Sequence, residues 1–579
     1  LNLVFFNRNA YGIQAASQYF FSVDAKDLTL PQAATLAGLV NSPSLYDPIA
    51  NPDNSIKRRN LVLDAMLQHG YINQQQHDDA VKAPIGTKPS PPKQGCPYAT
   101  QAQYFCDYVV HQIENDPAFG NSVDERDQKL LRGGLTIKTT LDPRLQAPAQ
   151  TQVDATAGTN PDKWGSSLVT VEPGTGKILA MAQNTRMLKD QGSNFVTTYN
   201  FNLDKKDASG NDIGGAGGMQ PGSTMKPVTL AAWLSEGKAT NQTVDASKRR
   251  YGINYPWKTT CSKVNGWFDS TVQDSQDLQN DEPNWYRPMT VREGIYQSIN
   301  TATFASAAGL NDFCDIQRAA DAMGMHDGEG GNKKLDLSTL GNLLGGMNVA
   351  PMTMANAFAT FASNGTYCTP IAISEVTDAQ GKKIGGQAPS CQQNALKPDV
   401  AKAATNVLQD VLTKGSGYNI KDNGGQPIKV GVPDAAKTGT NNFNSQTWVV
   451  GYTRGLATAS FFGEALNAPD SRLGRNVTIN GKFYPNVDGA YVAGPQWAYY
   501  MQKVAPLFDH GEFDAPPSNL INPSGQTQTK STDQGNSGNN GNGNNAPVPP
   551  AQPSVPMPTF SMPPMPSFPT KPGNGNGNG

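Results

Sequence analysis

The sequence predicts a mixed α/β (α+β) chain, in which a helical N-terminal segment precedes a layered domain of sheet and helices. Two observations lead there. Capping signals and apolar residues at helical spacing occupy residues 1–80, and strand alternation begins at Leu135-Thr-Ile-Lys-Thr-Thr-Leu141, after which helices and strands share the chain to about residue 510. With 579 residues and 37% hydrophobic composition, the chain is large enough to bury at least one extensive core.

In residues 1–80, Thr29-Leu-Pro31-Gln32 forms a capping box with proline near the first turn, and Ala33, Ala34, Leu36, Ala37 and Leu39 supply an apolar face. A second helix is expected from about Ile56 to Gln68, where Lys57, Arg58 and Arg59 read as a solvated face. Residues 81–134 read as a linker region, because Ser90-Pro-Pro-Lys-Gln-Gly-Cys96 is rich in Pro, Lys and Gly. A domain over 135–515 follows. Leu168 to Ala182 reads as a hairpin turning at Pro173-Gly174, helices are expected around 223–236, 290–298 and 350–364, and strands return at 435–463. Residues 516–579 are dominated by Pro, Gly, Asn, Ser and Gln; they cannot bury enough apolar surface to fold and read as a disordered tail. Its Pro-rich stretch from Pro547 to Pro572 reads as passive rather than as a docking motif.

The formal charge of -2, with no basic run, leaves no electrostatic footprint for nucleic acid. No stretch approaches the roughly 18 apolar residues of a membrane helix. The chain starts at Leu1 rather than Met, inside what reads as a structured segment, so any upstream signal or anchor is expected to have been cut away, and its absence here does not argue against a membrane-anchored parent. The six cysteines, at 96, 106, 261, 314, 368 and 391, include no Cys-x-x-Cys pair, and with only five histidines no metal or other cofactor is expected. Their even number fits an oxidising, extracytoplasmic compartment. Fifteen or so pairings are open to six cysteines; short separations favour Cys96–Cys106, Cys261–Cys314 and Cys368–Cys391.

Three short words then stand in order: Ser223-Thr-Met-Lys226, Ser298-Ile-Asn300 and Lys437-Thr-Gly-Thr440. Singly, two are weak. Ser-x-x-Lys recurs at Ser90-Pro-Pro-Lys93 and Ser235-Glu-Gly-Lys238, and Ser-x-Asn at Ser209-Gly-Asn211 and Ser537-Gly-Asn539, whereas Lys-Thr-Gly occurs once. Ser223 follows a glycine-rich run and opens an apolar helical pattern, which places Ser223 and Lys226 on one face at a helix N-terminus. A serine hydroxyl is a weak nucleophile until a base takes its proton, and with no histidine near the three words a desolvated lysine is the available base. Thr290-Val-Arg-Glu293 reads as a capping box that starts a short helix ending at Ser298 and Asn300. Ser298 is a candidate proton relay and Asn300 a candidate holder of Lys226. Lys437, Thr438, Gly439 and Thr440 read as an edge strand at a cleft, with charge from Lys437, hydroxyls of Thr438 and Thr440 that can hold a substrate carboxylate, and close backbone approach at Gly439. The N–H groups of Ser223 and Thr440 are the natural oxyanion pair.

The order and spacing match the serine acyl-enzyme set, and in context the chain resembles the class A penicillin-binding proteins, the bifunctional peptidoglycan synthases. The resemblance rests on Pro221-Gly-Ser-Thr-Met-Lys-Pro227, Arg287 through Asn300, Ala436-Lys-Thr-Gly-Thr440 and the helix text from Ala350 to Gly365. Leu1 through Phe21 and Arg58-Arg-Asn-Leu-Val-Leu63 are similar to the last two motifs of that family's glycosyltransferase domain, and the cysteines and tail look most like a mycobacterial-type member. The resemblance implies a penicillin-binding fold with an antiparallel sheet flanked by helices, preceded by the all-α remnant of a lysozyme-like glycosyltransferase domain. It implies D,D-transpeptidation of stem peptides ending in acyl-D-Ala-D-Ala, acylation by β-lactams, a parent that is also a glycosyltransferase, and a place at the extracytoplasmic face of the plasma membrane. Wall hydrolases and divisome or elongation proteins are the partners it suggests. A D,D-carboxypeptidase shares the three words, and a β-lactam-sensing or wall-binding domain needs only the nucleophile. A β-lactamase needs a second base for deacylation, and no Glu-x-x-Leu-Asn word follows Ser298.

Overall fold

The computed structural model describes the chain except for residues 1–3, 9, 91–94, 158–159, 190, 253, 262–263, 265–276, 469 and 524–579. Helices Ile13–Phe21, Leu30–Leu39, Pro52–Gln68 and Gln74–Lys82 build the N-terminal segment. The capping box forms as the sequence predicts, with the Thr29 N–H donating to Gln32 Oε1 at 2.9 Å. The basic triplet does not form a uniform solvated face. Arg59 is buried, and its guanidinium donates to the carbonyls of Ala83 and Val81 at 2.7 and 2.8 Å, which ties the third helix to the end of the fourth.

Residues 81–134, expected to be a linker, carry helices Gln103–Asn115 and Val123–Arg132. Phe105, Tyr108, Val109 and Ile113 recur at helical spacing and enter the main core, so apolar periodicity outweighs the Pro-rich text before Cys96. All three cysteine pairs expected from proximity form, Cys96–Cys106, Cys261–Cys314 and Cys368–Cys391.

The central sheet has five antiparallel strands: β1 (Gly165–Val171), β2 (Ile178–Gln183), β3 (Ala435–Thr440), β4 (Gln446–Tyr452) and β5 (Ala457–Gly463), in the spatial order β3-β4-β5-β1-β2. β1 and β2 are the expected hairpin, with Leu168 opposite Ala182. Side chains alternate between two cores. Leu168, Ala436 and Val449 pack with Leu145 and Ala149 of helix Pro143–Thr156 and with Trp497 and Met501 of helix Ala493–Val504. Val169, Val450 and Phe461 face Met354 and Phe358 of helix Pro351–Ala362. Because helices cover both faces, β1 and β4 are buried along their full length, polar Ser166, Ser167, Thr170, Gln446 and Thr447 included. The Leu135–Leu141 text supplies strand Thr136–Thr139, which pairs with Ile373–Thr377 in a separate three-stranded sheet.

Packing continues past residue 515. Helix Ser518–Ile521 buries Leu520, whose carbonyl accepts from the Thr240 N–H at 2.8 Å. The rest of the expected tail, 524–579, lies outside the described residues. No helix among the described residues is long and apolar enough to cross a membrane.

Candidate active site

Ser223 sits in a 3₁₀ turn, Gly222–Met225, that runs into helix Lys226–Ser235. The tighter turn stacks residues three apart, so Ser223 and Lys226 come onto one side more closely than an α-helix would bring them. The approach to the turn is pinned to β4: the Trp448 indole N–H donates to Gln220 O at 2.8 Å, and the Gln220 N–H donates to Gln446 Oε1 at 2.9 Å. Two glycines let β3 touch the turn backbone to backbone. A Cβ on Gly439 would lie 2.2 Å from Pro221 O, and one on Gly222, whose φ is +56°, would lie 2.4 Å from Thr440 O.

Ser298 is placed by a helix end. The expected capping box at Thr290 is only half formed: the Glu293 N–H donates to Thr290 Oγ1 at 3.0 Å, while the Glu293 carboxylate pairs with Arg287. Helix Val291–Tyr296 then closes with the Ile299 N–H on Gly294 O and the Ser298 N–H on Ile295 O, at 2.8 and 3.1 Å. These two bonds are a Schellman motif with Ser298 at the left-handed position, φ 64°, where glycine is usual. A serine held there costs on the order of 1 kcal/mol of backbone strain, and residues held in such backbone conformations cluster at working sites.

The three words meet at this serine. Lys226 Nζ donates to Asn300 Oδ1 at 2.7 Å and to Ser298 Oγ at 3.3 Å, and it also contacts the Ser298 carbonyl. Lys437 Nζ donates to the same Ser298 Oγ at 2.8 Å and to Thr438 O at 2.9 Å. Both lysines are fully buried, whereas Ser223, Ser298 and Asn300 each keep some solvent access. Burial lowers the Lys226 pKa to about 7, with only partial opposition from Asp281. Burial, and then the charge of Lys226, hold Lys437 well below its ordinary value. Both effects disfavour the charged form of Lys437 in the free site, because a buried ammonium loses its solvation and Lys226 adds a like charge.

Strand alternation divides the Lys-Thr-Gly-Thr word. Lys437 and Gly439 face the serine turn, while Thr438 and Thr440 point to the other face. There the Thr438 hydroxyl bonds Ser416 Oγ at 2.6 Å, and Thr440 Oγ1 accepts the Gly489 N–H at 3.0 Å. β3 is an edge strand, as expected.

The recurring words lack this company. Lys238 pairs with Glu236 at 2.6 Å, and Asn211 folds back on Asp207 at 2.9 Å. Lys93 and Ser537-Gly-Asn539 lie outside the described residues. Gln279 belongs to the neighbourhood although no sequence pattern marks it: its carbonyl accepts from Asn300 Nδ2 at 2.7 Å.

The family model described as the penicillin binding protein transpeptidase domain matches residues 166–472, more than half of the chain. The chain belongs to the penicillin-binding protein transpeptidase family. All three words of the transpeptidase domain fall inside this match, and a transglycosylase model matches residues 1–67. Penicillin-binding protein 1A of Aquifex aeolicus is 24% identical over 609 residues, covering 92% of this chain and 74% of that protein. Penicillin-binding protein 1A of Mycolicibacterium smegmatis is 28% identical over 486 residues, covering 80% of this chain; the chain spans 53% of that relative's length. Among solved structures, penicillin-binding protein 1A from Haemophilus influenzae aligns with a TM-score of 0.65 at 18% identity, over 91% of this chain and 89% of that one. PonA1 from Mycobacterium tuberculosis in complex with penicillin V aligns with a TM-score of 0.52 at 22% identity, over 73% and 97%. Both likenesses are of fold.

Proposed function

We propose that the chain acts as a serine D,D-transpeptidase of peptidoglycan, with residues 135–523 forming the transpeptidase domain and residues 1–80 forming the end of a glycosyltransferase domain in a bifunctional parent. The single observation that carries the catalytic reading is the buried, easily deprotonated Lys226, held by Asn300 and Ser298 three residues from Ser223.

In this reading, Ser223 Oγ attacks the carbonyl carbon of the penultimate D-Ala in an acyl-D-Ala-D-Ala stem peptide, and its proton moves to neutral Lys226 Nζ. The N–H groups of Ser223 and Thr440 receive the oxyanion; the contact between Gly222 and Thr440 keeps those two backbone segments together. Collapse breaks the peptide bond, and the departing D-Ala amine takes a proton from Lys226 through Ser298 Oγ, the hydroxyl that both lysines reach. A free amine of a neighbouring stem peptide then attacks the ester and returns the enzyme. Lys437, Thr438, Gly439 and Thr440 form the wall against which the extended peptide lies. Protonated Lys437 is the counter-ion of the substrate carboxylate, whose charge opposes the desolvation of the ammonium.

β-Lactams react at the same serine, but ring opening leaves the leaving group tethered, and the ester persists. Three disulfides support a place outside the cytoplasm, where stem peptides are cross-linked. The test is intact mass after incubation with penicillin, with peptide mapping of the adduct, followed by a D-Ala-D-Ala donor with an acceptor amine. An adduct on Ser223 and a cross-linked product are expected. Release of D-Ala without cross-linking makes the enzyme a carboxypeptidase, and an adduct elsewhere overturns the assignment.

A further inference from the structure

Helix Asn300–Ala308, which presents Asn300 at its first position, has no cap of its own. The residue before it is Ile299, whose side chain has no acceptor. The cap comes from elsewhere in the chain. Asn280 Oδ1 accepts the Thr301 N–H at 3.1 Å, and Asn280 Nδ2 donates to Thr301 Oγ1 at 2.8 Å, across a sequence separation of 21. Asn280 is itself well supported: its N–H donates to the Tyr286 hydroxyl at 2.8 Å, and the Tyr286 ring lies 4.6 Å from the Arg249 guanidinium. Leu278, two residues earlier, is buried in the main core, and its N–H donates to Arg249 O at 3.0 Å.

The adjacent Gln279 carbonyl receives Asn300 Nδ2 at 2.7 Å. A carbonyl only accepts, so this contact turns the Asn300 amide nitrogen toward Gln279 and its oxygen toward Lys226. One short segment thus fixes both where helix Asn300–Ala308 starts and which way Asn300 faces.

We propose that Asn280 is a positioning residue for acyl transfer, capping helix Asn300–Ala308 from outside so that Asn300 Oδ1 stays on Lys226 Nζ. This rests on the reading of Ser223 and Lys226 given above and extends it to a residue outside the three words. The titratable groups facing Lys226 are Lys437 from β3 and Asp281, next to Asn280. Loosening the cap admits water to Lys226 and relieves the desolvation that keeps its amine neutral.

The experiment follows the rate at which a fluorescent penicillin acylates the full chain, as a function of pH, in the wild type and in Asn280→Ala, Thr301→Val, Thr301→Ser and Ser223→Ala. Asn280→Ala is expected to acylate roughly 10- to 100-fold more slowly, the scale of a misplacement of about 1 Å, with its pH midpoint moved upward. Thr301→Val is nearly isosteric but leaves the Asn280 amide without its acceptor, and it should shift rate and midpoint the same way. Thr301→Ser keeps the hydroxyl and should restore both. An Asn280→Ala protein that melts earlier yet acylates at the wild-type rate and midpoint overturns the proposal. Should that variant not fold, Thr301→Val with wild-type rate and midpoint overturns it equally. Ser223→Ala separates the two readings: an adduct that survives there removes the serine assignment, whereas its loss alongside wild-type behaviour in Asn280→Ala removes only the positioning role.

Discussion

Lys226 and Lys437 reach the same hydroxyl, Ser298 Oγ, at 3.3 and 2.8 Å, and both ammonium groups are fully buried. Neither has water to solvate its charge, so burial lowers the pKa of both amines, and a substrate that brings a carboxylate opposes that shift.

Ser223→Ala should abolish the penicillin adduct. Lys226→Met, which keeps bulk and removes the amine, should slow acylation by about 10²–10⁴-fold, the range for losing general acid–base catalysis. Ser90→Ala and Ser235→Ala should acylate like the wild type in the same intact-mass assay. A fast Lys226→Met variant would remove the lysine from the mechanism.

Acylation should rise with pH through a midpoint near 7, because the neutral Lys226 amine is the active form and its pKa lies at about 7. The same shift sets a stability trend. An unfolded lysine titrates at about 10.4, so between roughly pH 7 and 10 the unfolded chain binds the extra proton and folding stability increases with pH. In Lys226→Met that increase should be smaller, as read by denaturant unfolding at several pH values. A flat acylation profile between pH 6 and 8 or so would contradict the role of burial.

Ser298 carries strain that glycine would relieve. Ser298→Gly and Ser298→Ala both lose the relay hydroxyl and should acylate slowly, but the glycine variant should be the more stable of the two by about 1 kcal/mol, since alanine keeps the left-handed penalty. Equal melting temperatures would show that the neighbouring chain, rather than residue 298, sets the backbone there.

Gly439→Ala should lose acylation with only moderate loss of stability, because a methyl group 2.2 Å from Pro221 O forces β3 away from the serine turn while leaving the central strands paired. Comparing melting temperature with acylation rate tests this; a stable variant with the wild-type rate refutes the close-approach argument.

Non-reducing peptide mapping should recover Cys96–Cys106, Cys261–Cys314 and Cys368–Cys391. Replacing both cysteines of the Cys261–Cys314 pair should cost about 2–4 kcal/mol, the usual range for a disulfide. Recovery of six alkylatable thiols would contradict the extracytoplasmic reading.

Much of this protein is legible locally. The Thr29 capping box and the β1–β2 hairpin depend on near neighbours, and helical or strand period states them directly, whereas the cysteine pairs, 10, 53 and 23 residues apart, followed only from the preference for short separations. The three words named Ser223, Lys226, Ser298, Asn300 and the Lys437–Thr440 strand because their residue types are what the chemistry needs. Elsewhere local text misled: Pro-rich residues before Cys96 hid a core helix, and a basic triplet hid the buried Arg59.

What the sequence by itself determined was which side chains are available and the local shapes that carry them. Only the tertiary structure decided that Lys226 and Lys437, 72 and 139 positions from Ser298, share its hydroxyl, that burial lowers the Lys437 pKa there, and that Asn280 caps a helix it does not belong to. The physical reason is that hydrogen bonding and desolvation depend on distance and burial in space. Residue order constrains neither until the sheet edge, the serine turn and the Schellman end have packed together.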